Sequence, residues 1–170
     1  MKKLFLCLLL LLCLAGCSPV NNEISEGDLM RYKDFIHLIE NNGDFVEQSE
    51  FFDFEVVTEK IDSGYSFYLI IDNPRYAMYH VGAVAIIDGH DYQNEMAPNV
   101  GIFGTETYNL IPNQANVKNG YYKGILLNGL SSKESFDLKF VVSWTNNKHD
   151  QLSYVYGIVH VNNETVNEEN

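Results

Sequence analysis

The segment DGHDYQNE, residues 88–95, holds the most suggestive group of metal-ligating side chains in the chain. Asp88, Asp91 and Glu95 supply three carboxylates, and His90 adds an imidazole. Hard cations such as Ca²⁺ bind six to eight oxygen ligands, so these three carboxylates are a candidate calcium site. Their spacing is not that of an EF-hand. A hairpin loop in which Asp88 and Gly89 form a turn explains the same residues without a metal.

Motifs that place a catalytic nucleophile beside its base are absent. The sequence contains neither G-x-S-x-G nor S-x-x-K, and its five histidines, at positions 37, 80, 90, 149 and 160, form no H-E-x-x-H motif. We therefore expect no enzymatic activity. The alternative is a small hydrolase that uses a pair of carboxylates, since two such groups meet only in space and leave no local motif.

Aromatic residues are the remaining candidates for ligand contact. The chain has 11 tyrosines, 10 phenylalanines and one tryptophan. Tyrosine near a loop offers rigid, amphipathic contact area for a sugar or a peptide, but a β-sheet also favours aromatic residues for its own packing. The candidate ligand-binding residues are Tyr76, Tyr92, Tyr108, Tyr121 and Tyr122.

The N-terminal segment carries a targeting signal. Lys2 and Lys3 precede an apolar run, Leu4 to Ala15, that is 12 residues long. At 1.5 Å per residue this run is too short to cross a hydrocarbon layer of roughly 30 Å. A buried core helix is the alternative, but the basic start and the small residues before a cysteine favour a signal peptide over residues 1–16.

The end of that run is similar to the lipobox of bacterial lipoproteins, an aliphatic residue and two small residues followed by cysteine. The matching residues are Leu14, Ala15, Gly16 and Cys17. The resemblance implies cleavage between Gly16 and Cys17 and a diacylglyceryl group on the Cys17 sulfur. It also implies acyl chains such as palmitate in the bilayer, which would hold the mature protein on the extracytoplasmic face of the cell membrane.

Removal of the signal peptide changes the charge and the cysteine content. Cys7 and Cys13 leave with it and Cys17 is alkylated, so no thiol remains for a disulfide or a metal site. The mature chain keeps 9 basic and 23 acidic residues, a formal balance of −14. Such a surface disfavours nucleic acid and anionic lipid headgroups, so we expect no nucleic-acid partner.

The mature chain starts with a short tether and one helix. Residues 17–27 are polar and rich in helix breakers. Leu29, Tyr32, Phe35, Ile36 and Ile39 then recur at helical spacing, which predicts a helix over residues 28–43 that packs on the following domain. Asp28 is the expected N-cap and Gly43 the expected stop.

From residue 51 to residue 161 the pattern is that of β-strands. Strands are predicted at 54–58, 65–72, 78–88, 121–128, 136–144 and 152–161, and the run at 78–88 is apolar enough to be covered on both faces. In the run at 136–144, Phe136, Phe140 and Trp144 face a core and the other face is mostly wet. An acidic tail, expected to be frayed, covers residues 162–170.

Six or seven strands without intervening helices predict a mainly β protein, an antiparallel β-sandwich preceded by one α-helix. The β region resembles the immunoglobulin-like, Greek-key sandwiches of small lipoproteins from Gram-positive bacteria, although the Cys…Trp…Cys hallmark is missing. We therefore expect a lipid-anchored, non-catalytic binding module of the cell envelope without a cofactor. Its partner would be an envelope protein or a glycan, and a calcium-stabilised ligand-binding domain is a further alternative.

Overall fold

A computed structural model describes residues 24–92, 94–147 and 149–163 of the chain. In these residues one α-helix, α1 (Glu26–Glu40), precedes nine strands and one turn of 3₁₀-helix (Val117–Asn119). The strands are β1 (Asp53–Ile61), β2 (Gly64–Asp72), β3 (Tyr79–Ile87), β4 (Asn99–Val100), β5 (Asn109–Leu110), β6 (Tyr121–Tyr122), β7 (Gly124–Ser131), β8 (Ser135–Thr145) and β9 (Leu152–Asn162).

The main strands form two antiparallel sheets. One sheet has the order β1-β2-β7 and the other the order β4-β3-β8-β9. The chain crosses from the first sheet to the second after β2, returns between β4 and β7, and crosses again after β7. The predicted antiparallel β-sandwich preceded by one helix is therefore confirmed. β5 and β6 form a separate small sheet, and they pair in parallel.

The principal core lies between the two sheets. Phe67, Leu69 and Ile71 of β2 face Leu138, Phe140 and other alternate residues of β8, and all of these are buried. Phe136, Phe140 and Trp144 are buried as the alternation predicted. Each large side chain of this kind contributes about 1.5–3 kcal/mol when it leaves water, so the period-two pattern determines which face of each strand turns inward.

A second core lies between α1 and the opposite face of the four-stranded sheet. Tyr32, Phe35 and Ile39 of the helix pack on a layer that includes Val84 and Val141. The helix therefore packs on the domain, and β3 is covered on both faces, as predicted. The prediction that the second face of β8 is mostly wet is wrong at Val141 and Ser143, because both are buried.

The helix begins and ends earlier than the sequence predicted. Ser25 is the N-cap, since its Oγ accepts a hydrogen bond of 3.0 Å from the Asp28 backbone N–H. Asp28 instead lies in the first turn, where its charge favours the positive end of the helix. Asn41 caps the C-terminus, so Gly43 lies beyond the helix, and Leu29 remains exposed.

The predicted strand at 121–128 is two separate elements. Tyr121 and Tyr122 pair with β5, whereas β7 begins at Gly124 and continues through Gly129. Gly129 lies inside the strand, at a position where a Cβ would clash with the Phe67 ring and Pro98. That glycine therefore allows close packing and does not end the strand.

Part of the predicted tail is ordered by hydrogen bonds. Asn162 belongs to β9, and the Asn163 N–H donates to the Glu134 carbonyl at 3.0 Å. Residues 164–170 lie outside the described residues, and so do the predicted signal peptide, the lipobox and the tether up to residue 23. Within the part of the chain that the structure describes, no helix has both the length and the apolarity to cross a bilayer.

Candidate functional site

The loop after β3 contains all three carboxylates proposed from the sequence for metal binding. Gly89 adopts a left-handed backbone with φ 72°, and the His90 N–H donates to the Ile87 carbonyl at 3.1 Å, which forms a turn. Two of the three carboxylates are engaged in ion pairs. Asp88 pairs with Lys139 at 2.8 Å, and Glu95 pairs with His90.

These contacts do not assemble a cation shell. Asp88 and Glu95 each contact a different cationic or imidazole group, and Asp91 lines a cleft beside α1. Among residues 24–92, 94–147 and 149–163, no three His, Cys, Asp or Glu side chains are grouped so that they could hold a metal ion. The structure therefore does not bring Asp88, Asp91 and Glu95 together as a calcium site.

Tyr92 anchors this loop to the sandwich. Its hydroxyl oxygen accepts a hydrogen bond of 3.0 Å from the Ile87 N–H, and burial raises the pKa of the Tyr92 phenol above its ordinary value. The ring lies between two open clefts, one of about 500 Å³ against β7 and one of about 680 Å³ against α1. Since its hydroxyl is used to hold the loop, Tyr92 has a structural role besides any contact with a ligand.

The cleft against β7 combines an ion pair with three serines, the arrangement closest to a hydrolase. Its lining includes His90, Glu95, Ser63, Ser131 and Ser132. The Ser131 hydroxyl donates to the Lys133 carbonyl at 3.1 Å, and within the described residues no hydrogen bond joins any of the three serines to His90. A serine nucleophile needs its base within about 2.6–3.2 Å, so this geometry gives no support to nucleophilic catalysis here.

Three of the five candidate tyrosines gather around the small sheet of β5 and β6. The rings of Tyr108 and Tyr122 lie 4.9 Å apart, and Tyr121 is the strand neighbour of Tyr122. The Tyr108 hydroxyl donates to Glu106 at 2.8 Å, and this hydrogen bond to a carboxylate raises the pKa of Tyr108 to about 12. Tyr108 is therefore a hydrogen-bond donor over the whole physiological pH range.

Tyr76 lies apart from that group. It is 59% exposed in the loop between β2 and β3, and its ring lies 5.8 Å from Phe51, which in turn contacts Trp144. With Tyr92 held between the helix and the sheet edge, the five tyrosines form no single platform. They are distributed over three regions of the surface.

A group of exposed apolar side chains on the three-stranded sheet was not predicted as a site. On the outward side of the three-stranded sheet, Ile70 lies between Glu55 and Leu126, and Tyr68 lies between Val57 and Asn128. Val57, Leu126 and Leu130 are 46%, 48% and 66% exposed. We call the set Val57, Tyr68, Ile70, Leu126 and Leu130 the outer face.

Acidic side chains border the outer face along β1 and at the end of β2, and we call them the acidic border. Glu55 and Glu59 point outward from β1 beside it, and Asp72 ends β2, and all three are exposed. A sequence signal for the outer face exists in β2, where the run YSFYLIID is apolar on both alternating sets. A strand with one wet face would alternate, so the outward Tyr68 and Ile70 indicate a second apolar surface.

Comparisons with known proteins find no match: no protein-family model, no curated protein and no solved structure is similar to this chain.

Proposed function

We propose that this protein is a lipid-anchored binding module on the extracytoplasmic face of the cell membrane, and that its outer face docks a partner protein of the envelope. The observation that carries this proposal is the exposed apolar surface across the three strands of β1, β2 and β7. The proposed activity is recognition without a chemical step.

The anchor in this proposal is the Cys17 sulfur. The lipobox residues Leu14 to Cys17 follow a basic start and an apolar run, in the order that a lipoprotein signal requires. Each methylene of an acyl chain contributes about 0.8 kcal/mol when buried in the bilayer, so two chains give stable attachment where one does not. Only the residues between Cys17 and Ser25 would separate the lipid from the first turn of α1.

The outer face supports a protein partner because its apolar side chains are contiguous across the strands. Isolated exposed apolar residues are common on soluble proteins, but a contiguous apolar surface with a polar border is typical of an interaction site. Val57 with Tyr68 and Ile70 with Leu126 are direct cross-strand pairs, and Tyr68 and Ile70 follow each other on the outward side of β2. Leu130 lies at the margin of the outer face, because its cross-strand partner is Ser66 and Asn128 separates it from Leu126. The strands fix the backbone of these residues, so little backbone freedom is lost on binding.

The acidic border specifies the chemistry of the partner. Glu55, Glu59 and Asp72 would repel anionic lipid headgroups and nucleic acid, and they would attract lysine and arginine side chains. The proposed partner is therefore a protein whose docking surface has an apolar centre and basic residues around it. Confinement of both proteins to one membrane surface raises their effective concentration and compensates for a modest intrinsic affinity.

The anchor is tested by metabolic labelling with a radioactive or alkyne-bearing fatty acid in a bacterial host. We expect the wild-type chain to be labelled and to migrate as the processed form. The Cys17→Ala variant should lose the label and keep its signal peptide, since there is no sulfur to acylate. A Cys13→Ala variant is the matched control and should be labelled like wild type. Equal labelling of Cys17→Ala and wild type would contradict the anchor.

The partner is tested by site-specific photo-crosslinking in intact cells. A photoreactive amino acid at Leu130 should give a discrete protein adduct, whereas the same group at Val117 should not. Leu130 and Val117 are both 66% exposed, so the two positions differ in location and not in accessibility. Leu126→Ser should decrease the Leu130 adduct several-fold without changing the unfolding midpoint of the domain, because Leu126 is already half exposed.

The chemistry of the partner is tested with charge reversal on the border. Glu55→Lys and Glu59→Lys should each decrease the adduct, and Glu50→Lys, outside the outer face, should not. Equal adducts from Leu130 and Val117 would refute docking at the outer face. If a glycan hydrolase digests the part of the adduct that was added to this chain, the partner is a glycan and the proposed protein partner is wrong.

A further inference from the structure

Two histidines that are 69 positions apart in the sequence lie side by side in the structure. The ring centroids of His80 and His149 are 4.7 Å apart, with the ring planes at 70° to each other. His80 lies at the start of β3, His149 lies between β8 and β9, and both are exposed. Tyr79 packs against the His149 ring at 5.1 Å and restricts its orientation.

Both histidines have a backbone conformation that is uncommon for residues with a side chain. His80 has φ 51° and His149 has φ 60°, both in the left-handed region. His80 lies where the pairing of β3 with β8 is irregular, between Tyr79 and Gly82, and its N–H donates to Asn109 Oδ1 at 3.1 Å. The irregular pairing and the Asn109 bond therefore hold the His80 backbone in this conformation, as a bulge re-aims a side chain.

One ring nitrogen of His149 lies against a hydroxyl. The Thr145 hydroxyl oxygen lies 3.3 Å from His149 Nδ1 and 3.2 Å from the Tyr79 carbonyl oxygen. Metal-ligating histidines commonly contact a neighbouring oxygen through one ring nitrogen and bind the metal through the other. In such an arrangement Nε2 of His149 would be the ligating nitrogen.

We propose that His80 and His149 form a two-imidazole site for a divalent transition-metal ion, with Cu²⁺ as the ion that binds most tightly. With metal–nitrogen bonds of about 2.0–2.1 Å and bond angles of roughly 90–109°, two imidazoles on one ion have ring centroids about 4.5–5.2 Å apart. The distance of 4.7 Å lies within this range. Imidazole suits Cu, Ni and Zn and does not suit Ca²⁺ or Mg²⁺.

The surroundings of the pair determine the affinity. The described residues offer no group of three protein ligands, so water must complete the coordination shell and the site is weaker than a three-ligand site. His80 also borders a small cleft of about 170 Å³ whose lining includes Arg31 and Glu106. The net charge of −12 raises the local concentration of cations. Among divalent ions the affinity for nitrogen ligands is highest for Cu²⁺.

The test is a titration of the processed, acylated protein in detergent with CuSO₄, with excess glycine to compete for weak sites and a purification tag that contains no histidine. We expect one tight Cu²⁺ ion per chain, and an electron paramagnetic resonance spectrum with the hyperfine pattern of two nitrogens. His80→Asn and His149→Asn should each weaken binding at least about tenfold. Asparagine is chosen because it tolerates the left-handed backbone and leaves the fold intact.

His160→Asn and His90→Asn are the matched controls, because both histidines are exposed beside carboxylates, and both variants should bind within twofold of wild type. A second measurement uses the wild-type protein alone. Substoichiometric Cu²⁺ should broaden the imidazole NMR signals of His80 and His149 before those of the other histidines.

Three results would overturn the proposal. These are loss of binding in a control variant, first broadening at another histidine, and unchanged binding in the double variant His80→Asn/His149→Asn.

Discussion

His160 illustrates how one exposed side chain acquires its properties from its neighbours on other strands. Its Nδ1 lies 2.7 Å from Asp137 of β8, and its Nε2 lies 4.0 Å from Glu47. The hydrogen bond to Asp137 raises the pKa of His160, and the charges of Asp137 and Glu47 raise it further. No local pattern around residue 160 indicates this, because the partners are 23 and 113 positions away in the chain.

We predict that protonation of His160 stabilises the folded protein. Because its folded pKa is above its unfolded value of about 6.5, the contribution is fully present below that pH and is lost as the pH rises through the folded pKa. Asp137→Asn should lower the pKa of His160, which an NMR titration of the imidazole measures directly. His160→Gln should flatten the pH dependence of unfolding above pH 6. An unchanged pKa in Asp137→Asn would contradict this assignment.

Gly157 is a second residue whose role depends on a neighbouring strand. It pairs with Phe140 across β8 and β9, and a Cβ at Gly157 would overlap the Phe140 ring, which is fully buried. Gly157→Ala should therefore destabilise the protein by about 1–3 kcal/mol, the usual cost of overpacking a core. Denaturant unfolding measures this cost.

Gly43→Ala is the matched control for that substitution. A Cβ at Gly43 meets nothing within 4 Å, and the residue is not in the left-handed region. The free energy of unfolding should change by no more than about 0.5 kcal/mol. Equal effects of the two substitutions would show that chain flexibility, and not the Phe140 contact, determines the outcome.

At the scale of elements, α1 shows what periodicity predicts and what it misses. The spacing of Tyr32, Phe35 and Ile39 correctly predicted a helix with one buried face, since residues three and four apart share a side of a helix. The start of the helix was misplaced because Ser25 and Asp28 are both good N-caps by type. Only the hydrogen bond from the Asp28 N–H to Ser25 Oγ distinguishes them.

Substitution of Ser25 and of Asp28 tests which of the two residues is the N-cap of α1. Ser25→Ala should cost about 0.5–2 kcal/mol, because it leaves the Asp28 N–H without its acceptor. Asp28→Ala should cost less, about 0.3–1 kcal/mol, because it removes only a charge near the helix N-terminus. Urea unfolding of both variants under the same conditions gives the comparison. A larger cost for Asp28→Ala would contradict the assignment of Ser25 as the N-cap.

The strands also show what periodicity predicts and what it misses. Alternation predicted the inward face of β8, because successive side chains of a strand point to opposite faces of the sheet. It did not predict that Val141 and Ser143 would be covered, since that depends on where α1 docks. The separation of Tyr122 from Gly124 was also missed, because both lie in one apolar run whose two parts pair with different strands.

At the scale of the whole molecule, net charge is the dominant long-range feature. With 23 acidic and 11 basic residues, the folded chain repels itself, and salt screens this repulsion. The screening length decreases from about 30 Å at 0.01 M salt to about 8 Å at 0.15 M. The melting temperature should therefore rise with NaCl over this range.

Circular dichroism melting curves at several NaCl concentrations measure this effect, and choline chloride as a second salt separates screening from specific sodium binding. A melting temperature that fell with both salts would show that attractive pairs such as Asp88 with Lys139 outweigh the general repulsion. That result would also weaken the argument that the acidic border selects a basic partner.

By itself the sequence determined the features that depend on local order along the chain. These are the helix, most of the long strands, the inward face of β8 and the net charge, because each follows from neighbouring residue types and a fixed period. The signal and lipobox are also local patterns, and they stay predictions. The candidate cation site at Asp88, Asp91 and Glu95 was inferred from proximity in sequence, and the five candidate tyrosines were chosen because they lie near predicted loops, where they would offer a platform for a ligand. The structure assembles neither of them within the described residues.

Only the tertiary structure decided which distant groups meet. The outer face requires the register of β1, β2 and β7, and the His80–His149 pair requires the irregular pairing of β3 with β8 and the turn that follows β8. Ile70 and Leu126 are 126 − 70 = 56 positions apart, and His80 and His149 are 149 − 80 = 69 positions apart. Contacts between such distant positions depend on the packing of the entire core. The apolar run of β2 indicates a second apolar face but not which residues of β1 and β7 lie beside it, and nothing in the local sequence pairs the two histidines.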